Sequence, residues 1–184
     1  MRHMCFAERK SAVRLVCAAA VLALAGCKQQ PKKVQVQQSA EPASNMASEL
    51  RMGDAKTEPQ LTSGFYGIEA GAWRWTARQF GVVLRVPAGA AQRGATLEFD
   101  FTIPDVVVQK EKSVTLSASV DGNALPPETY SRVGTASYRR DIPAGALGGD
   151  NVKVNFTLDK AMPPAGGDRR ELGVVATSVR LAVK

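Results

Sequence analysis

The sequence predicts an all-β fold: a two-layer antiparallel β-sandwich, of jelly-roll or immunoglobulin-like connectivity, behind an N-terminal leader and a disordered tether. Three observations carry this. Apolar residues recur at every second position through the C-terminal part of the 184-residue chain. Clusters of Gly, Pro, Asn and Asp separate those runs, and no amphipathic helix of useful length interrupts them.

Residues 1–26 read as an export signal. Arg2, Arg9, Lys10 and Arg14 form a positive n-region, and Leu15 to Gly26 form an apolar run. The run is too short for a spanning helix, which needs about 20 apolar residues. The four residues Leu24-Ala25-Gly26-Cys27 resemble the lipobox of bacterial lipoproteins. That resemblance implies a diacylglycerol on the Cys27 thiol, cleavage before Cys27, and acylation of the new amine by a fatty acid such as palmitate. Each buried CH₂ adds about 0.8 kcal/mol, so two or three chains make a lasting membrane anchor. Lys28 follows the cysteine where an aspartate commonly retains such proteins at the inner membrane, so the resemblance further implies the outer membrane, facing the periplasm.

Cys5, Cys17 and the only histidine, His3, leave with the signal, and Cys27 is consumed by lipid. The mature chain therefore has no disulfide, no Ser-His-Asp or Cys-His system and none of the usual zinc ligands. The net charge of +7 divides into +3 for residues 1–26, +1 for 27–61 and +3 for 62–184, with no dense Lys/Arg run. Nucleic acid is not an expected partner.

Residues 27–61 are rich in Gln, Ser, Ala, Glu, Pro and Lys and contain no aromatic residue. They are expected to form a disordered tether with an extent of roughly 30 Å as a coil. The stretch from Ala43 to Met52 is expected to make at most a transient helical turn.

Residues 62–184 have the length of one domain. Leu97, Phe99, Phe101 and Ile103 share one strand face, with Glu98 and Asp100 on the other. Val114, Leu116, Ala118 and Val120 repeat the pattern, as do Val152, Val154, Phe156 and Leu158. Residues 79–87 and 177–183 behave similarly. One dry and one wet face per strand indicates packed antiparallel layers. Pro126-Pro127 and Pro163 to Gly167 read as turns, the stretch after Ile142 as a single helical turn between strands, and "TARQFG" as another.

Two stretches stand apart. Glu69 precedes Trp73-Arg74-Trp75-Thr76, and about a hundred residues later comes Asp168-Arg169-Arg170-Glu171-Leu172-Gly173. Glu69, Trp75, Thr76, Asp168, Arg170, Leu172 and Gly173 together resemble a small β-sandwich module of bacterial cell-envelope proteins. That module is often appended to glycosyltransferases or methyltransferases of surface-polysaccharide loci, and the resemblance implies a second strand at Asp168 to Val174.

Trp73 and Trp75 alternate with Arg74 and Thr76, so the two pairs take opposite faces. One reading is a sugar platform of stacking indoles, with Arg74, Glu69, Asp168 or Arg170 binding hydroxyls. The other, preferred because large aromatics are mostly buried, is that the indoles close the core, Trp75 above all, and the charged residues pair at its rim. Asp121 and Asp150 read as turn residues in preference to calcium ligands. The expectation is a non-enzymatic domain without metal or cofactor. Its partners would be the membrane, through Cys27, and an envelope protein, the alternative being a carbohydrate-binding module for envelope polysaccharide.

Overall fold

A computed structural model describes residues 46–184. The leader, Cys27 and the tether as far as residue 45 lie outside the described residues. In chain order the strands are β1 Glu49–Arg51, β2 Leu61–Glu69, β3 Trp73–Arg85, β4 Ala95–Ile103, β5 Val114–Val120, β6 Asn123–Tyr130, β7 Gly134–Ile142, β8 Asn151–Leu158 and β9 Val175–Val183. Two short helices, α1 at Ala90–Arg93 and α2 at Asp105–Glu111, cross between strands.

All strand pairs are antiparallel, in the order β6-β5-β8-β3-β9-β4-β7. The long β3 joins the two layers. Its Gln79–Arg85 half pairs with β8, and its Arg74–Trp75 start pairs with β9. β2 runs along β3, and β1 pairs with β9. The result is the jelly-roll-like sandwich that the period-two pattern predicts.

The layers meet through aromatic rings. Phe80 of β3 stacks on Phe156 of β8 at 5.0 Å, and Phe99 of β4 packs on both, at 5.5 and 5.0 Å. Every residue assigned by alternation to the dry faces of β4, β5 and β8 is buried. Each such side chain stabilises the fold by about 1.5–3 kcal/mol relative to exposure. At the side where β6 and β7 adjoin, the buried Tyr138 donates its hydroxyl to Pro126 O at 2.8 Å, and Arg140 donates to the carbonyls of Pro126 and Pro127. Burial pushes the Tyr138 phenol up.

Several expectations are corrected. The fold begins before residue 62. Leu50 and Met52 are fully buried, β1 replaces the expected helical turn, and a 3-10 helix occupies Ala55–Gln60. Gln60 exchanges two hydrogen bonds with Ala47 and donates a third to Val83 O at 2.7 Å, mimicking a strand partner for the incoming chain. "TARQFG" is continuous β3 and not a helical turn. Pro126 and Pro127 lie inside β6, at the layer's edge, where the register slips between Leu116 and Ala118 of β5. Edge positions and bulges are the places where a missing N–H costs no ladder bond. Asp168 to Val174 is not a strand but a loop held by the isolated bridges Met162↔Leu172 and Ala165↔Asp168. The turn after Ile142 is helical as read, a 3-10 helix at Ala144–Ala146. Among the described residues no helix is long and apolar enough to cross a membrane.

Because residues 47–60 carry core side chains, Leu50→Ala and Met52→Ala should each lower the unfolding free energy by about 2–5 kcal/mol, and a chain starting at residue 62 should unfold at lower denaturant than one starting at 46. Urea titration followed by far-UV circular dichroism checks this; equal midpoints would show that the segment is dispensable.

Candidate functional site

The alternation in Trp73-Arg74-Trp75-Thr76 resolves opposite to the core-closing reading. Arg74 is 3% exposed and Thr76 fully buried, whereas both indoles are half-buried. The polar residues can turn inward because each finds partners there. Arg74 donates from Nε to Met52 O at 3.1 Å, from Nη1 to Tyr66 O at 2.9 Å and from Nη2 to the exposed Glu58 carboxylate at 3.2 Å. Thr76 Oγ1 accepts from Val174 N at 3.1 Å, and the Thr76 backbone pairs with Gly173 and Val174. Arg74 is therefore a structural clamp and not a group offered to a ligand.

Gly173 explains itself in the same place. A Cβ there would stand 2.6 Å from a Leu158 methyl and 2.7 Å from Thr76 Oγ1. Only glycine lets the 168–174 loop press so closely on β3. Leu172 completes the attachment through its bridge to Met162. Of the seven residues in the sequence resemblance, Thr76, Leu172 and Gly173 thus hold the loop in position.

With the polar pair inside, Trp73 and Trp75 stand on the outer face, edge to face, with ring centroids 6.3 Å apart. Trp75 also packs against the core. Register extends this face across five strands. Trp73 pairs with Glu69 of β2, and Trp75 with Val175 of β9. Val175 pairs with Thr102, which pairs with Thr135. One row further, Arg51, Ser178, Asp100 and Ser137 stand in line across β1, β9, β4 and β7. Paired residues point to the same side, so hydroxyls and carboxylates flank the indoles.

On the β2 side lies an ion cluster. Arg170 grips Asp168 through Nε at 3.0 Å and Nη2 at 2.8 Å, reaches Glu69 through Nη1 at 2.7 Å, and sits 5.2 Å from the Tyr66 ring centre. Tyr66 in turn donates its hydroxyl to Glu171 O at 2.8 Å. The structure thus brings together Glu69, Asp168, Arg170 and Trp73, which the sequence separates by as much as 101 residues. Hydrogen bonds from the Arg170 side chain and backbone hold the Asp168 carboxyl below the usual carboxylate range, and Asp168, then Glu69, raise Arg170.

On the other side are two open depressions. One, of about 630 Å³, is lined by Glu49, Arg51, Asp54, Thr177, Ser178 and the Gly71-Ala72 turn. The second, of about 340 Å³, is lined by Asp100, Thr135, Ser137 and Thr177. In the next row, beside Glu49, Glu98 is 7% exposed, paired with Arg180 of β9 and with Arg139 of β7 at 3.3 Å. Alternation assigned Glu98 to a wet face; the two arginines that cover it are what bury it. Glu49, Arg51, Asp54, Thr177 and Ser178 escaped sequence reasoning, because β1 is three residues long and the wet face of β9 carries no chemical signature. No group of metal-ligating residues occurs among the described residues.

No family model and no curated protein matches the chain. Among solved structures it is similar to the mannan-recognising carbohydrate-binding module TmCBM27, at 12% identity and a TM-score of 0.42 over 76% of this chain and 97% of that one. It is also similar to the CBM36-1 domain of a xylanase from the hindgut metagenome of Trinervitermes trinervoides, at 8% identity and a TM-score of 0.36 over 65% and 93%. A third is an exo-beta-1,3-galactanase from Phanerochaete chrysosporium, at 10% identity and a TM-score of 0.38 over 74% of this chain; the chain spans 29% of that enzyme.

The lowered pKa of Asp168 has a measurable sign. A carboxylate lowered by folding contributes stability that is present above its unfolded value, about 3.9, and is lost as pH falls through the folded value. The carbon resonance of the Asp168 carboxyl should therefore titrate at lower pH than an ordinary aspartate, and Arg170→Gln should move its midpoint up. An unchanged midpoint in the variant would show that the pair does not persist in solution.

Proposed function

We propose that the chain is an outer-membrane lipoprotein, anchored through Cys27 and facing the periplasm, whose β-sandwich binds envelope carbohydrate without catalysing a reaction. The observation that carries this reading is the pair of half-exposed indoles, Trp73 and Trp75, set between polar rows on one continuous strand face. An indole presents a flat apolar surface to the C–H face of a pyranose. Carboxylates and hydroxyls alongside accept and donate hydrogen bonds to the equatorial hydroxyls, and a small number of such groups sets orientation. Asp168 and Glu69 are positioned for this on one side, and Asp100, Ser137 and Ser178 on the other.

A protein partner fits the same surface less well. The centre of a protein interface is depleted of charge, and this face carries an ion cluster directly beside the indoles. The exposed large apolar residues Val106, Val133 and Val183 sit singly on different elements. The edges of β6 and β7 are bonded to each other through Tyr138 and Arg140, so neither of those two is open to an added strand.

Trp73→Ala should abolish retention on immobilised envelope polysaccharide while lowering unfolding stability by less than about 1.5 kcal/mol, well under the 3–5 kcal/mol typical of a buried tryptophan. Unchanged retention would remove the platform. For the anchor, Cys27→Ser should lose labelling by a fatty-acid analogue and leave the membrane fraction; persistent labelling would refute it.

A further inference from the structure

The charges of the candidate face are distributed unlike those of the rest of the domain. Residues 62–184 carry a surplus of base, yet every guanidinium on this face is already held by a carboxylate. Arg170 is shared by Asp168 and Glu69. Arg139 and Arg180 are both taken by Glu98, and Arg51 by Glu49. The carboxylates are not used up in return. Asp100, in the smaller depression, accepts only from Ser178 Oγ at 3.1 Å among the described residues. The Asp54 carboxylate, in the larger one, accepts only the Lys56 backbone N–H at 2.9 Å among the described residues. Glu69 uses one oxygen, where an ionised carboxylate has about four acceptor sites. Lys56 lines a further depression that shares Glu49, Arg51 and Asp54 with the larger one, and Arg169 is exposed. The half-exposed indoles add a second attraction for positive charge, through the negative faces of their π-systems.

Resting on the carbohydrate reading above, we infer that this face selects its glycan by charge: it takes sugars bearing free amino groups best, neutral sugars next, and excludes anionic ones. A uronate or phosphate laid over Trp73 would meet Asp100, Asp54, Glu69 and Asp168, against which the lining of the two depressions sets one guanidinium with free N–H groups, Arg51, itself beside Glu49. An ammonium at the same place finds acceptors with lone pairs to spare. Charged groups across an interface chiefly set specificity in this way, over a range of about 8 Å at physiological salt.

Three β-1,4-linked hexamers with a common backbone test it: hexaglucosamine, cellohexaose, and cellohexaose oxidised to carboxylates at C6. Binding to the intact lipoprotein in uncharged detergent micelles is measured by calorimetry at low and physiological salt, at a mildly acidic pH where the amino groups are protonated and the carboxylates ionised. The expected order is amine above neutral above oxidised, with about tenfold or more between the outer members and a spread that narrows as salt rises. Asp100→Asn should reduce the ratio of amine to neutral affinity, and Thr135→Lys should raise affinity for the oxidised hexamer. If the oxidised hexamer binds as tightly as the neutral one, in a manner that Trp73→Ala abolishes, the charge inference falls and the carbohydrate reading stands. If none of the three binds, the carbohydrate reading falls and takes this inference with it.

Discussion

A guanidinium withdrawn from water must find acceptors for its N–H groups, and Arg74 finds them in the carbonyls of Met52 and Tyr66 and the carboxylate of Glu58. Hydrogen bonds to a charged group contribute about 1.5–3 kcal/mol each, and a buried donor left unmade costs a comparable amount. Those three acceptors belong to the chain entering the domain, to β2 and to the 3-10 helix between them. The inward turn of one side chain therefore joins three segments. Thr76, two residues on, repeats the device at the 168–174 loop.

The outward turn of the indoles follows directly. Successive side chains of a strand take opposite faces, so a strand start that commits Arg74 and Thr76 to the interior has no choice about Trp73 and Trp75. β3 can accept this because it changes layers along its length. Its second half, through Phe80, Val82 and Leu84, buries an ordinary apolar face under the phenylalanine stack. The first half lies at the margin of that core, where the 168–174 loop, Gly173 pressing against Leu158 and Thr76, closes the end. The same loop delivers Asp168 and Arg170 to Glu69. Packing at the end of the sandwich and assembly of the candidate site are thus one arrangement.

The central strands could be read from the sequence because a two-residue period in Leu, Phe, Val and Ile has one low-energy solution. The N-terminal margin could not. β1 is three residues long, and Leu50 and Met52 are too sparse to reveal a period. Nor could the sense of Trp73-Arg74-Trp75-Thr76 be read. Alternation shows that two pairs oppose each other, and the ordinary rule sends tryptophan inward. That rule fails here because the partners of Arg74 lie 8 to 22 residues away, in segments with no signal of their own. The helix α2 was hidden for a different reason. Three consecutive valines mask its single buried side, Val107. The meeting of Glu69 with Asp168 and Arg170 could not be read, because it is made by an irregular loop about a hundred residues away that carries no period.

The account turns on the two tryptophans of the chain both standing partly in water. Since no other tryptophan contributes, acrylamide quenching of the intrinsic fluorescence of the folded, ligand-free protein reads their exposure without labelling or substitution. The account predicts red-shifted emission with a substantial part of the intensity quenched in the native state. A blue emission that acrylamide does not reach until the protein unfolds would mean that the indoles, and not Arg74 and Thr76, occupy the interior.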